Sequence, residues 1–489
     1  MEVLVSILRF IGILFLVLMM FNLMIIVHEW GHFLAGRWRG LYIDRFQIWF
    51  GKPLWKKTYN GVQYGLGSIP AGGFVSLPQM APMEGIEGEV GDGEKKNLPP
   101  ISPMDKIIVA FAGPLFSFLL ACVFAVIVWA VKKPVSEAVG TTVIGELVED
   151  SPAAKAGLLP GDKITFVDGK KVERFQGMDR SIMWTVISSD NQNIEVDFIR
   201  PGEGEMSVVV ERPEVAQVKE VEGPWFNKAW AYVSTRPALR TIGVFPQISP
   251  VVAETLENSP AAKAGLHPGD IITAVNGNPV AQPQDVMAFT WTAGTPVEIS
   301  YRRGSKDLVA TMTPRVPEVD GTNAIIGIKW DADGIRTLVR ESPVTQVVNS
   351  FKAITKTLGA VFSPKSDVSA GHLSGPVGIM GLYYDLFQHS EGWRLALWFS
   401  VLLNVNLAIL NLLPFPVLDG GHIVMAIIEA IRKRPLPSRY LEVVQMAFVF
   451  LLLGFMAFVT LKDVGDRIPK GDGGGGSTAP KFLPLKESE

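Results

Sequence analysis

His28-Glu29-Trp30-Gly31-His32 sets two imidazoles four residues apart with a carboxylate beside the first. On a helix, His28 and His32 share one face a turn apart and can hold one zinc ion, with Glu29 placed to take a proton from water at the metal. The apolar run Phe10–Val27 leads into the motif without a break, so Glu29 sits at the end of a membrane helix. A carboxylate costs about 2.5–3.5 kcal/mol at the bilayer centre and less nearer the edge, so ionisable residues there read as functional. Histidines hydrogen-bonded into a helix bundle would leave the glutamate between them unexplained. A zinc site also needs a third protein ligand. Of six histidines, His267, His372 and His389 fall in the long segment 132–394, which leaves His422 and Asp419. Asp419 closes the run Asn411-Leu-Leu-Pro-Phe-Pro-Val-Leu-Asp419, where Pro414 and Pro416 must interrupt a helix. Broken backbone at membrane depth is tolerated only where it is buried in protein or lines a cavity. Asp419 would complete a set of two histidines and a carboxylate with a position open for water, and His422 is the alternative.

The elements that must position these residues are membrane helices. The chain has 489 residues, 48% of them hydrophobic, and its mean hydropathy of +0.27 is high for a soluble protein. Four runs can cross about 30 Å of hydrocarbon: Phe10–Val27 with its HExxH extension, Ile107–Val131, Leu395–Leu418 and Val443–Leu461. No small-residue cleavage site follows the first run, which reads as a retained span. Arg37, Arg39, Arg45, Lys52, Lys56 and Lys57 follow span one, and Arg432, Lys433, Arg434 and Arg439 follow span three. Both connections are therefore expected in the cytoplasm, with the termini and segment 132–394 outside. A net charge of −3 gives no support for nucleic-acid binding. The single cysteine, Cys122, lies in span two and excludes an intramolecular disulfide.

The outside segment contains a duplication. Residues 151–172 and 259–280 are identical at 16 of 22 positions with an offset of 108. Each copy reads as a short helical turn, a Pro-Gly-Asp turn, an alternating strand and an Asp-Gly or Asn-Gly hairpin. Two copies at this period suggest tandem domains, not a solenoid. The pattern resembles the PDZ domain in its circularly permuted bacterial form, which implies binding of periplasmic peptides by strand addition or, alternatively, a steric filter. Expected boundaries are 138–236 and 237–318. Val344, Val347, Val348, Phe351, Ile354, Leu358 and Val361 recur at helical spacing, predicting an amphipathic helix over 342–363. It would lie on the outer membrane surface or pack beneath the second module. The tail 471–489 begins with a glycine-rich run and reads as a flexible linker.

HExxH in span one, the NxxPxPxLDG pattern ending at Gly420 and the tandem insert together resemble the site-2 protease family, above all its RseP-type intramembrane zinc metalloproteases of Gram-negative bacteria. The resemblance implies His28, His32 and Asp419 as zinc ligands, Glu29 as catalytic base, and Asn406 and Asn411 as substrate contacts. Where the family often has an asparagine shortly after Gly-Pro in span two, this chain has Ser117. Segment 63–77 is similar to the family's membrane-reentrant β-hairpin, whose edge strand, through Gly72, Gly73, Phe74 and Val75, would pair with an unwound substrate.

The expected architecture is thus a polytopic α-helical protein of the inner membrane. Its parts run 1–37 (span one), 38–103 (cytoplasmic loop with the reentrant hairpin), 104–131 (span two), 138–318 (two modules), 393–422 (span three) and 440–462 (span four). The implied activity is cleavage of single-span membrane proteins, such as anti-sigma factors already cut once outside, or remnant signal peptides. The rivals are a membrane scaffold with structural zinc and a zinc transporter. The transporter would need acidic or histidine residues along several spans, and the apolar runs of spans two and four offer none.

Overall fold

The computed structural model describes residues 2–80, 98–211, 224–318, 323–363, 366–389, 391–434, 438–468 and 482. The expected flexible tail therefore lies outside the described residues, except for Phe482. Among those described, four helices contain segments long and apolar enough to cross a membrane: Leu4–Trp38, Pro103–Val131, Gly392–Asn411 and Leu441–Arg467.

Helix α1 (Glu2–Trp38) carries the HExxH motif in its second half. A four-stranded sheet follows, made of β1 (Arg45–Phe50), β2 (Trp55–Tyr59), β3 (Val62–Leu66) and β4 (Ile69–Ser76) in the order β2-β3-β1-β4. This differs from the hairpin expected over 63–77. Strands β3 and β4 are joined by two residues yet do not pair, because β1 lies between them, parallel to β3 and antiparallel to β4. The chain crosses the end of β1 at Gly67, whose amide donates to the Ile48 carbonyl at 2.8 Å. A Cβ at Gly67 would run into the Trp49 and Phe50 carbonyls, so only glycine permits the crossing. The sheet is pinned to α1 where Trp49 Nε1 donates to Asn22 Oδ1 at 2.6 Å.

Helix α2 (Pro103–Val131) starts with a capping box between Ser102 and Asp105 and Pro103 in its first turn. Arg39 Nε donates to Asp105 at 2.6 Å, joining the end of α1 to the start of α2. After α2 the chain enters two modules of one design. In the first, the sheet order is Gly204–Glu211, Asn193–Arg200, Lys163–Val167, Lys170–Lys171; in the second it is Lys306–Met312, Val297–Arg303, Ile271–Val275, Asn278–Pro279. Each has its own apolar core, around Ile164, Val196 and Phe198 or around Ile272, Ile299 and Leu266. Each also draws a short closing strand from beyond the expected boundary. Val244–Pro246 pairs with Ile144–Leu147, and Ile328–Trp330 with Val252–Thr255. Three-residue strands carry too little alternation to be read from sequence. Lys133–Ser136 pairs with Arg336–Val339, so the chain enters and leaves the modules side by side.

Helix α3 (Pro343–Phe362) begins at an N-cap, Ser342. It packs on spans two and three and against the first module, not beneath the second. Gln346 Nε2 donates to the Ala125 carbonyl of α2 at 3.1 Å, and Lys356 donates to Asp179 of the first module at 2.5 Å. Its buried face holds Gln346, Ser350, Ile354 and Ala360, while Val344, Val348, Phe351 and Phe362 are exposed. Helix α4 (Pro376–Gln388) lies against the N-terminal end of α1, where Arg9 donates to the Gln388 carbonyl and Phe10 meets Tyr384 edge-on. The third apolar run divides into α5 (Gly392–Asn411) and α6 (Asp419–Arg432) around Pro414 and Pro416. Lys106 donates to Glu429 at 2.7 Å and holds α6 beside α2. Helix α7 (Ser438–Arg467) completes the bundle.

Candidate active site

Four elements meet at one corner of the bundle: the second half of α1, the first half of α2, the break between α5 and α6, and strand β4. Helical spacing turns His28 and His32 to the same side of α1, with their Nε2 atoms 3.3 Å apart. Asp419, the first residue of α6, comes from the far end of the sequence to meet them. Its Oδ2 is 3.3 Å from His28 Nε2 and its Oδ1 is 3.3 Å from His32 Nε2.

The other ring nitrogens are already engaged. His32 Nδ1 is 2.8 Å from the Val109 carbonyl of α2. A carbonyl only accepts, so Nδ1 carries a proton, and in the neutral imidazole Nε2 then presents a lone pair. His28 Nδ1 is 3.0 Å from Ser117 Oγ, also on α2, and donation from Nδ1 leaves its Nε2 in the same state. Asp419 Oδ2 is buried without a hydrogen bond. Its approach to His28 is that of two lone pairs facing a common point. Tetrahedral zinc with ligand bonds of about 2.0–2.1 Å sets its donors about 3.4 Å apart, which is the separation seen here. These three residues fit a zinc ion, and among the described residues they form the one cluster of at least three His, Cys, Asp or Glu with suitable spacing.

Residues outside the motif make the corner possible. A Cβ at Gly113 of α2 would overlap His32 Nε2 and lie 2.9 Å from His28 Cε1. Pro114 follows, and its missing amide leaves the Ala110 carbonyl without a helical donor in the turn that faces the histidines. The position of Ser117 after Gly-Pro marked it in the sequence, although its partner did not follow from that. Nothing in the sequence pointed to the Val109 carbonyl or to Gly113 as a contact.

The corner opens into a cavity of about 410 Å³ lined by His28, Glu29, His32 and Asp419 together with Ile25, Leu407, Asn411, His422 and Gly72–Val75. Glu29 faces β4, and the Val75 amide reaches its carboxylate. Strand β4 ends the sheet with β1 as its sole partner, so its other edge is unpaired among the described residues. Of the expected substrate contacts, Gly72, Gly73, Phe74, Val75 and Asn411 line the cavity. Asn406 is not part of the lining, and its Oδ1 is buried without a hydrogen bond. His422 shares the cavity but does not join the ligand cluster.

The model of peptidase family M50 matches residues 15–455. A provisionally named zinc metalloprotease of Neisseria meningitidis serogroup A is 30% identical over 465 residues, spanning 90% of this chain and 96% of its own. The regulator of sigma-E protease RseP of Salmonella typhimurium is 27% identical over 463 residues, spanning 89% and 95%. Among solved structures, the PDZ domain of an SdrC-like protein of Listeria monocytogenes is 29% identical over 17% of this chain and 90% of its own, with a TM-score of 0.16. With a match over most of its length and four helices fit to cross a membrane, the chain belongs to peptidase family M50, the site-2 proteases, and is a membrane-embedded zinc metalloprotease.

Proposed function

We propose that this protein is an inner-membrane endopeptidase that cuts a peptide bond within or beside the transmembrane helix of a single-span protein. The observation that carries the reading is that the His28, His32, Asp419 set, the Glu29 carboxylate and the free edge of β4 share one cavity. His28, His32 and Asp419 hold the zinc. Zinc bound there supplies Lewis acidity toward the scissile carbonyl and lowers the pKa of water. Glu29 accepts the proton from the attacking water and returns it to the leaving amine nitrogen. The Val109 carbonyl fixes the tautomer of His32, and with Ser117 it directs the two imidazoles.

A helical substrate hides its carbonyls, so cleavage needs extended backbone. Strand β4 offers its outer edge, at Gly73 and Val75, to pair with the unwound segment and replace the hydrogen bonds lost. The Trp49–Asn22 contact supports a re-entrant sheet. Asn22 is six residues before His28 on α1, about 9 Å along the axis, so the tip of the sheet stands near the middle of span one. Asn411 lines the same cavity and contacts the substrate.

The modules lie outside and screen substrates, admitting those whose external domain has been trimmed. Anti-sigma-type regulators of an envelope stress response fit this description, as do remnant signal peptides. The Salmonella relative is named as a regulator of sigma-E. The scaffold alternative requires a zinc site closed by four protein ligands. His422, the candidate fourth ligand, stands outside the cluster of three, which favours the enzyme.

The test is cleavage of a tagged single-span substrate, pre-trimmed outside, by purified wild type and Glu29→Gln. Glu29→Gln should lose at least about 100-fold in rate, the lower range for general acid–base catalysis, with its zinc content unchanged. Equal processing by both overturns the assignment. Val75→Pro removes the edge donor together with the amide that reaches Glu29: it should abolish cleavage and keep zinc, and cleavage by that variant would rule out pairing at β4.

A further inference from the structure

Phe482 is the one described residue beyond Ile468, and it is 4% exposed. It follows a run of glycine, serine and threonine that has no apolar core of its own to offer. The ring is buried in the second module. Asn258 Nδ2 donates to the Phe482 carbonyl at 3.4 Å, and the Arg315 guanidinium lies over the ring at 5.7 Å from its centroid. Glu318 holds that guanidinium by an ion pair, and Arg315 Nη1 is buried without a hydrogen-bond partner. The floor of the socket is Gly327, where a Cβ would stand 3.0 Å from Phe482 Cε2 and would also strike Ser259.

The first module shows what is particular to this socket. Gly243 and Gly327 share a φ of +80°, and each stands over a serine, Ser151 or Ser259, that caps the short helical turn. Asp150 and Asn258 share a φ of +58° at matching positions. The skeleton is therefore common to both modules, but the side chain at the rim is not. An ionised Asp150 can only accept, whereas the Asn258 amide donates to a peptide carbonyl. Among the described residues, only the second module combines a backbone-recognising amide with a cation over an aromatic seat.

We propose that the second module carries a peptide site for an aromatic side chain, and that the chain's own C-terminal segment occupies it in cis through Phe482. The tether is short enough to matter. The 14 residues from Ile468 to Phe482 reach at most about 50 Å. That corresponds to an effective concentration in the millimolar range. A peptide presented by another protein must therefore displace the tail, so its apparent affinity is lower for the intact chain than for one without a tail. The occupancy also ties the second module to the end of span four.

The first experiment uses the full chain in detergent with p-benzoylphenylalanine in place of Phe482. Irradiation should cross-link position 482 to residues 256–259, Arg315 or residues 325–327 of the same chain. Cross-links confined to the first module, to the spans or to a second chain, or none above background, overturn the proposal. The second experiment titrates a fluorescein-labelled peptide of residues 477–489, up to about 1 mM to match the tether, against the intact chain and one ending at Lys470. The shortened chain should bind at least about tenfold more tightly. A Phe482→Ala peptide should not bind. Asn258→Gly, which keeps the positive φ and removes the donor, should weaken binding severalfold. Equal binding to both chains, binding of the alanine peptide, or no binding to the shortened chain overturns the proposal. Neither readout uses proteolytic activity, so failure here and failure of the protease reading are distinguishable.

Discussion

The metal corner and the two modules are built on opposite plans. In the corner every contact is single: His28 has Ser117, His32 has the Val109 carbonyl, and Gly113 alone leaves room for both rings. In the modules the supporting contacts come twice. Buried Asp162 accepts from Arg200 and from the Leu159 amide, and buried Asp270 does the same with Arg303 and the His267 amide. Each aspartate thus keeps a hydrogen bond when one partner is lost. The difference teaches where a small error is tolerated: a module can relax around it, whereas a displaced ring at the corner would cost the proposed zinc site one of its three ligands.

Gly113→Ala is the harshest test of that contrast. The added methyl meets the His32 ring and the edge of the His28 ring. Zinc content should fall to background and cleavage by more than about 1,000-fold, read by metal analysis and a substrate assay. Full zinc in this variant would break the comparison. Ser117→Ala is milder, because it removes the hydroxyl that orients His28 and leaves the ring in place. Zinc affinity should drop about 10–100-fold, with cleavage restored at saturating zinc.

The modules should respond least. Arg303→Ala exposes a carboxylate that keeps its amide donor, so it should lower the local stability of the second module only modestly, solvent screening the lost pair. Hydrogen exchange in the second module reads this, while cleavage of a pre-trimmed substrate changes less than about threefold. The same pair sets a pH dependence. Burial pushes the Asp270 carboxyl up, but Arg303 and the His267 amide outweigh it and hold the carboxyl below its usual range. A lowered pKa in the folded state means the stabilisation is complete above the unfolded value of about 3.9 and is lost as pH falls through the folded one. Amide protection in the second module should therefore decline below pH about 4, and Arg303→Ala should flatten that decline.

Periodicity and ligand spacing made much of this molecule legible. A span of apolar residues has few alternatives to a membrane helix, and histidines at i and i+4 share a face whatever surrounds them. Asp419 could be singled out because two prolines break the helix before it. That β3 and β4 each pair with β1 and not with one another was not legible, since alternation says that a strand exists and not which strand lies beside it. The crossing at Gly67 is set by contact with Trp49 and Phe50, nearly twenty residues earlier in the chain. The seating of α3 escaped for a related reason. Its apolar stripe suggested which face should be covered, yet Gln346 and Ser350 are buried beside Ile354 and Ala360, Gln346 Nε2 donating to the Ala125 carbonyl and Ser350 Oγ to the Gln346 carbonyl. Phe482 gave no signal either, because one aromatic residue in a polar tail has no period.

The ribbon between Lys133–Ser136 and Arg336–Val339 has a mechanical consequence. Because the strand leaving α2 and the strand returning toward α3 are hydrogen-bonded neighbours, the roughly two hundred residues between them leave and rejoin the bundle through one two-stranded stalk, with Lys356–Asp179 and Arg236–Asp463 as further ties. Whatever is carried there can grow, shrink or be exchanged without changing the gauge between spans two and three. The stalk transmits rotation and tilt to the bundle, and very little stretch.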